Sequence, residues 1–434
     1  MKSVSQPFAL VRELPTFTLF WLGQSLSEIG NRLTGFGLGI WVYQHTHTVT
    51  QLSLVIFLTT LPGVLITPFV GAFVDRWNRQ WIIIFSDLAA AFITLTLALL
   101  LLTDHLQVWH TYLSAFFTSV CGSFQMTAKS AALPMMVPKN WIGRANGLIQ
   151  FSTAVGQLSA PILAGVIIAT FKLQGLLLID FSTYLIGLFT LLVIQIPQPK
   201  PSTISAEGDA AIIQEIIYGW KIISSRLFLV MLLVFMSVHF FVDGMTSVLI
   251  NPLVLSFSST TTFGTVISFA SCGMVAGSIF MSIWGGGKQS TSALFMFSAL
   301  NGIGLIIAGV KPNISTIAVG LSLSFFTLPI ILGTNQTIWQ TSVNPNVQGR
   351  VLSLFSTVTG LTLAFGNLSA SPLADRIFEP ILSDDGLLAN SVGQLIETGQ
   401  GRGIGFLMII AGLFVLFTSA IFYSYNRLRK VDLD

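Results

Sequence analysis

The 434-residue chain is 53% hydrophobic and only 9% charged, and its 20 Lys and Arg nearly balance its 17 Asp and Glu. Soluble domains carry about 25% charged residues, so this composition excludes an ordinary water-soluble enzyme, and its apolar content excludes a disordered chain. The even charge balance, with no basic stripe interleaved with aromatics, excludes a nucleic-acid binder.

Twelve membrane helices of about 20 residues would need about 240 apolar residues, and the chain holds about 230. The N-terminal stretch MKSVSQPFALVRELPTF lacks a small-residue cleavage site, so the first apolar segment is expected to stay in the protein. Apolar segments follow at 17–43, 50–73, 80–103, 111–137, 146–171 and 173–196. A polar stretch beginning PQPKPSTISAEGDAA then reads as a solvated linker. Beyond it, Ile212, Ile213, Ile216, Ile217, Trp220 and Ile223 recur at helical spacing opposite Gln214, Glu215, Lys221 and Ser224. That pattern predicts a helix lying in the membrane interface. Apolar segments resume at 227–255, 263–285, 289–310, 314–342, 351–374 and 403–425. The expected protein is all-α and integral to the membrane. It has a six-helix half at 1–196, a cytoplasmic linker with an amphipathic helix at 197–226, and a second six-helix half at 227–434.

Short cytoplasmic loops retain Lys and Arg. With twelve spans, fourteen of the 20 basic residues fall on one side, and Lys172, Lys311, Arg376 and Arg402 fall on the other. Arg32 and Lys129 lie within spans. Both termini and the linker, residues 200–209 included, are therefore expected in the cytoplasm, with residues 384–397 outside.

Between the second and third spans stands Gly71-Ala-Phe-Val-Asp75-Arg76-Trp-Asn78-Arg79-Gln80, followed by Asp87. Gly71 permits close helix contact, while Asp75 suits the positive end of a neighbouring helix and can pair with arginines. The stretch resembles the G-x-x-x-D-R-x-G-R-R/K loop of the major facilitator superfamily, with Asn78 for a glycine and Gln80 for a basic residue. Gly277 to Lys288 echoes it weakly in the second half, keeping glycines and lacking the aspartate. In the fifth span, Gly156-Gln-Leu-Ser-Ala160-Pro161-Ile-Leu-Ala164-Gly165 resembles the motif of the superfamily's exporters, whose small residues let a neighbouring helix slide while Pro161 bends the chain.

Further stretches are similar to macrolide-efflux and enterobactin-exporter relatives: Leu22 to Ser25, Trp41 to Gln44, Arg144 to Gly147, Asp180 to Ser182, Gly349 to Val351, Pro372 to Pro380 and Gly399 to Gly403. The resemblance implies two pseudo-symmetric halves with a substrate cavity between them and a cytoplasmic gate at Gly71, Asp75, Arg76, Arg79 and Asp87. It also implies an exporter-type helix at Gly156, Pro161 and Gly165, and a bacterial inner-membrane location.

Ionisable groups at bilayer depth invite a functional reading. Glu28 and Arg32 share a face of the first span near Gln24 and Asn31, and His239 and Asp243 repeat the spacing in the seventh. Either pair can carry protons, with Arg32 tuning Glu28 or meeting an anionic group, or each can be a self-neutralising structural pair. Asp87 and Asp180 read as structural, and Lys129 as snorkelling or paired with Asp87.

Cys121 and Cys272 sit in apolar runs as small hydrophobes, and His45, His47, His105 and His110 lack metal-site companions, so neither metal nor cofactor is expected. No GxxxxGK[ST] loop is present to bind ATP. The expected function is secondary export of an amphipathic small molecule by a monomer in the bilayer, with protons as coupling ion. The alternatives are a siderophore or other dedicated metabolite exporter, and a non-transporting membrane partner.

Overall fold

The structure is a computed structural model, and it describes residues 13–46, 49–198, 210–287 and 290–429. The expected linker stretch from Lys200 to residue 209, the basic residues Lys2, Arg12, Lys288 and Lys430, and His47 lie outside the described residues.

The apolar segments become long helices: α1 (Pro15–Thr46), α2 (Val49–Arg76), α3 (Arg79–Leu102), α4 (Val108–Met136) and α5 (Ile142–Val193). The helix α5 is two spans joined at Lys172, whose φ of 56° and ψ of −171° break the run into two antiparallel arms. Next among the described elements comes α6 (Ala210–Ser225), the amphipathic helix. It is followed by α7 (Leu227–Leu255), α8 (Thr260–Trp284), α9 (Ser290–Val310), α10 (Ile314–Ser342), α11 (Gln348–Leu373) and α12 (Arg402–Arg429).

Among the described residues, nine helices are long and apolar enough by composition to cross a membrane, and the double helix α5 is one of them. The remaining two passes are α1 and α4, whose polar residues include Glu28, Arg32, Gln125 and Lys129. Twelve membrane passes result.

Two compact units emerge. The first comprises Met1–Ile222 together with Trp339–Thr357, the facing ends of α10 and α11; the second comprises Ile223–Ile338 and Val358–Asp434. In the first unit α1 packs along the second arm of α5 through glycines every seven residues: Gly23 faces Thr190, Gly30 faces Thr183, and Gly37 faces Leu176. A Cβ on Gly23 or Gly30 would collide with its threonine, so the close approach depends on their being glycine. In the second unit α9 and α12 meet in the same way, Gly302 against Gly412 and Gly309 against Gly405. The inside of this unit is a large cluster around Leu249, Leu253, Leu321, Leu407 and Met408.

Candidate functional site

The loop after α2 builds a latch within the first unit. The side chain of Asp75 is fully buried (0% exposed), and its Oδ1 and Oδ2 accept the backbone N–H groups of Gly349 at 2.8 Å and Arg350 at 3.0 Å. These are first-turn donors of α11, so the carboxylate meets the positive end of the helix dipole. Gly71 lies beside it, where a Cβ would collide with Ser353 and with the carbonyl of Gly349. A glycine one turn before the aspartate is thus what lets α11 reach the carboxylate.

Arg79 is buried as completely. Its Nη1 donates to the Ala131 carbonyl at 2.7 Å, and its Nη2 donates to the Pro345 carbonyl at 2.6 Å and contacts Asp75 Oδ1 at 3.4 Å. Arg350 completes the cluster, with Nε 3.6 Å from Asp75 Oδ2 and its guanidinium 5.9 Å above the Tyr218 ring of α6. Arg76, by contrast, is exposed.

Both departures of the loop from the family pattern have local causes. Asn78 caps α3 by accepting from the N–H groups of Gln80 and Trp81. The Gln80 side chain donates to the Leu191 and Ile194 carbonyls at 2.7 and 2.8 Å and accepts from Ile196 N at 3.0 Å, fixing the end of α5.

Deeper in the same unit the intramembrane charges gather around α1. Arg32 donates through Nη2 and Nε to Glu28 Oε1 at 2.8 and 3.3 Å, and Thr153 Oγ1 donates to the same oxygen at 3.3 Å. The pair is one-third exposed, at 35% for Glu28 and 33% for Arg32, although it sits on a membrane helix. Gly156 is the seat of Arg32: a Cβ there would lie 3.1 Å from Arg32 Cδ and 3.3 Å from Nε. Gly156, Ala160 and Ala164 form the buried small stripe of this arm, while Pro161 and Gly165 are exposed.

Gln24 turns the other way and donates to Asp87 Oδ2 at 3.0 Å, with Gln125 donating to Oδ1. Asp87 is buried, each of its oxygens accepting one amide, and Lys129 interacts electrostatically with both Asp87 and Glu28. Asn31 is exposed and stands apart from this group. On α7, His239 is buried (4%), and neither ring nitrogen has a hydrogen-bond partner among the described residues. Asp243 lies one turn on, with no hydrogen bond between the two.

A sequence model described as Major Facilitator Superfamily matches residues 20–367 of the chain. The chain belongs to the major facilitator superfamily. Among relatives, it is 24% identical over 431 residues to Macrolide efflux protein A of Streptococcus pyogenes, covering 96% of this chain and 97% of that one. It is 21% identical over 354 residues to Multidrug efflux pump Tap of Mycolicibacterium fortuitum (80% and 86%), and 24% identical over 162 residues to Enterobactin exporter EntS of Citrobacter koseri (37% and 39%). The crystal structure of a bacterial homologue of iron transporter ferroportin in its outward-facing state matches with a TM-score of 0.69 at 14% identity, covering 95% of this chain and 99% of that one. At that identity the likeness speaks for the fold.

As a superfamily member the protein is a multi-pass membrane transporter and not an enzyme. Its fold is the expected all-helical one. The residues whose N–H groups meet Asp75, Gly349 and Arg350, stood in the sequence only as a family-like triplet. The pairing of a buried aspartate with an N-terminus some 270 residues away leaves no local signal.

Proposed function

We propose that the protein is a secondary active transporter that exports an amphipathic small molecule from a bacterial cell by alternating access, in exchange for protons. The halves at 1–196 and 227–434 act as the two bodies, joined by the linker at 197–226, with both termini in the cytoplasm. The observation that carries the coupling is the Glu28–Arg32 pair: a carboxylate held at bilayer depth, one-third exposed, and bonded among the described residues through one of its oxygens. Retaining such a charge costs at least ~2.5 kcal/mol on insertion scales, which a titrating role accounts for.

Export is supported by the names of the relatives and by the Gly156-centred motif. A chain with 35 Phe and few intramembrane charges fits a bulky, partly apolar cargo better than a sugar or a small ion. The latch at Asp75 serves as the cytoplasmic gate, bonded when that side is closed. His239 and Asp243 offer a second titratable pair in the other half. A dedicated metabolite exporter, for instance of a siderophore, is the second reading, favoured by Arg32 as a partner for an anionic group and by the enterobactin-exporter likeness.

The test is flux in proteoliposomes. Glu28→Gln keeps size and hydrogen bonding but cannot titrate, so it should retain cargo binding and downhill flux while losing accumulation driven by a pH gradient. Accumulation at the wild-type rate in Glu28→Gln, in Asp243→Asn and in the double variant would remove these carboxylates from the coupling.

A further inference from the structure

Three helices of the first unit hold a second polar cluster that the proposed cycle does not use. Asp180, on the second arm of α5, is 0% exposed. Its Oδ2 accepts from Thr34 Oγ1 of α1 at 2.7 Å and from Thr94 Oγ1 of α3 at 3.2 Å, while Thr183 Oγ1 donates to its main-chain carbonyl at 2.7 Å. Oδ1 has no hydrogen-bond partner among the described residues, and no Lys or Arg among them pairs with the carboxyl. An ionised carboxylate at this depth, served by threonine hydroxyls and by no cation among the described residues, is costly; a carboxylic acid keeps those bonds and needs no counter-ion. The site's chemistry therefore selects a proton.

Each of the three helices also leads to one cavity. From Thr34 to Trp41, from Thr94 to Leu101 and from Asp180 to Leu173 is seven residues, two turns or about 10 Å, in the direction away from the Asp75 latch. Trp41, Leu101 and Leu173, with Gln44, Lys172 and Gln174, line a cavity of ≈ 230 Å³. Along α3 and α5, between the residues of the cavity and those of the carboxyl, come the buried Leu97, Leu176 and Leu177, so a proton must pass about one turn of apolar side chains. The mouth is shaped by Lys172, held at φ 56° and ψ −171°, a backbone region that is nearly glycine's alone and that recurs at ligand clamps and switches.

We propose that Asp180 is a proton-binding site that exchanges with solvent through this cavity, at the end of the unit opposite the latch. The charged and titratable groups around it are few. Tyr184, buried one turn further in, lies within electrostatic reach of both Asp180 and Asp87, and Asp87 itself is seven residues inward of Thr94 on the same face of α3. Glu28 and Arg32 of α1 turn instead toward Thr153 and Gly156. Tyr184 and Asp87 thus continue the polar line from Asp180 toward Lys129 and Glu28. Use of this proton in transport rests on the proton-coupled reading above, whereas its binding does not.

Infrared difference spectroscopy of the reconstituted full-length protein across a pH step tests the site without any cargo. The wild type should show the carbonyl-stretch band of a protonated carboxyl at neutral pH, and Asp180→Asn should lose it. Thr34→Val leaves the acid in place and removes its shorter hydrogen bond, so it should shift the band to higher frequency even if Asp180→Asn does not fold. Capping Lys172→Cys with a bulky maleimide should slow loss of the band after an alkaline step. A band unchanged in both Asp180 and Thr34 variants, or one erased by sodium instead of alkali, overturns the proton site. Titration of the capped protein at the uncapped rate overturns the route. Because these readouts need no flux, they fail separately from the Glu28 test.

Discussion

Asp75 and Glu28 show how different surroundings set two carboxylates of the first two helices apart. Asp75 is sealed against two backbone N–H groups and two arginines, whereas Glu28 is bonded among the described residues through one oxygen and keeps one-third of its side chain exposed. Asp75→Asn removes the charge from the N-terminus of α11 and places an amide where two donors already point. The helix-end charge alone is worth about 1–2 kcal/mol in a buried setting, so the latch should open several-fold more often. Spin-label distances between α2 and α11 should broaden toward longer values, and an unchanged distribution with normal flux would contradict the latch. Gly156→Ala presses on Arg32 at Cδ and at the guanidinium Nε without adding or removing a charge. It should therefore alter the pH profile of transport while leaving expression and monodispersity near wild type, and an unshifted profile would reduce Gly156 to ordinary packing.

At the level of elements, the sequence made the twelve helices and the amphipathic helix legible because hydropathy and 3.6-residue periodicity are local signals. The single-residue elbow at Lys172 also fell where the apolar segments divided, since a lone cation between two apolar runs marks a span boundary. What could not be read was which surfaces meet. Gln24 and Asn31 are seven residues apart on α1, yet one bonds Asp87 and the other is exposed, because a helix face is wide and its partners are set by the neighbouring helices. The glycines at 23, 30 and 37 carried a periodic signal of their own, a seven-residue spacing that marks the seam with α5. Gly30→Leu should thus destabilise the first unit strongly, by more than about 3 kcal/mol as for a severe overpacking, and the loss is measurable as a drop in thermal unfolding temperature. The helix α6 turns Gly219 and Ile223 inward and leaves Ile217 and Trp220 exposed, at 59% and 51%. A Cβ on Gly219 would meet Leu354 at 3.0 Å and Arg350 at 3.3 Å, so Gly219→Leu should lift α6 from α11 and make Tyr218, already 36% exposed, more accessible to collisional quenchers.

For the whole molecule, the charge asymmetry predicts sidedness and the intramembrane carboxylates predict coupling. Membrane-impermeant thiol reagents applied to intact cells should label Asn390→Cys and spare Ser205→Cys, and strong labelling at 205 would reverse the orientation. Coupling is the central claim, and uphill flux reads it most directly. Proteoliposomes should be loaded with a labelled macrolide or amphipathic dye that the wild type is first shown to carry downhill. With an imposed pH gradient the wild type should concentrate that compound, and a protonophore should abolish the accumulation. Downhill flux that persists while the gradient and the protonophore leave net movement unchanged would contradict proton-coupled export.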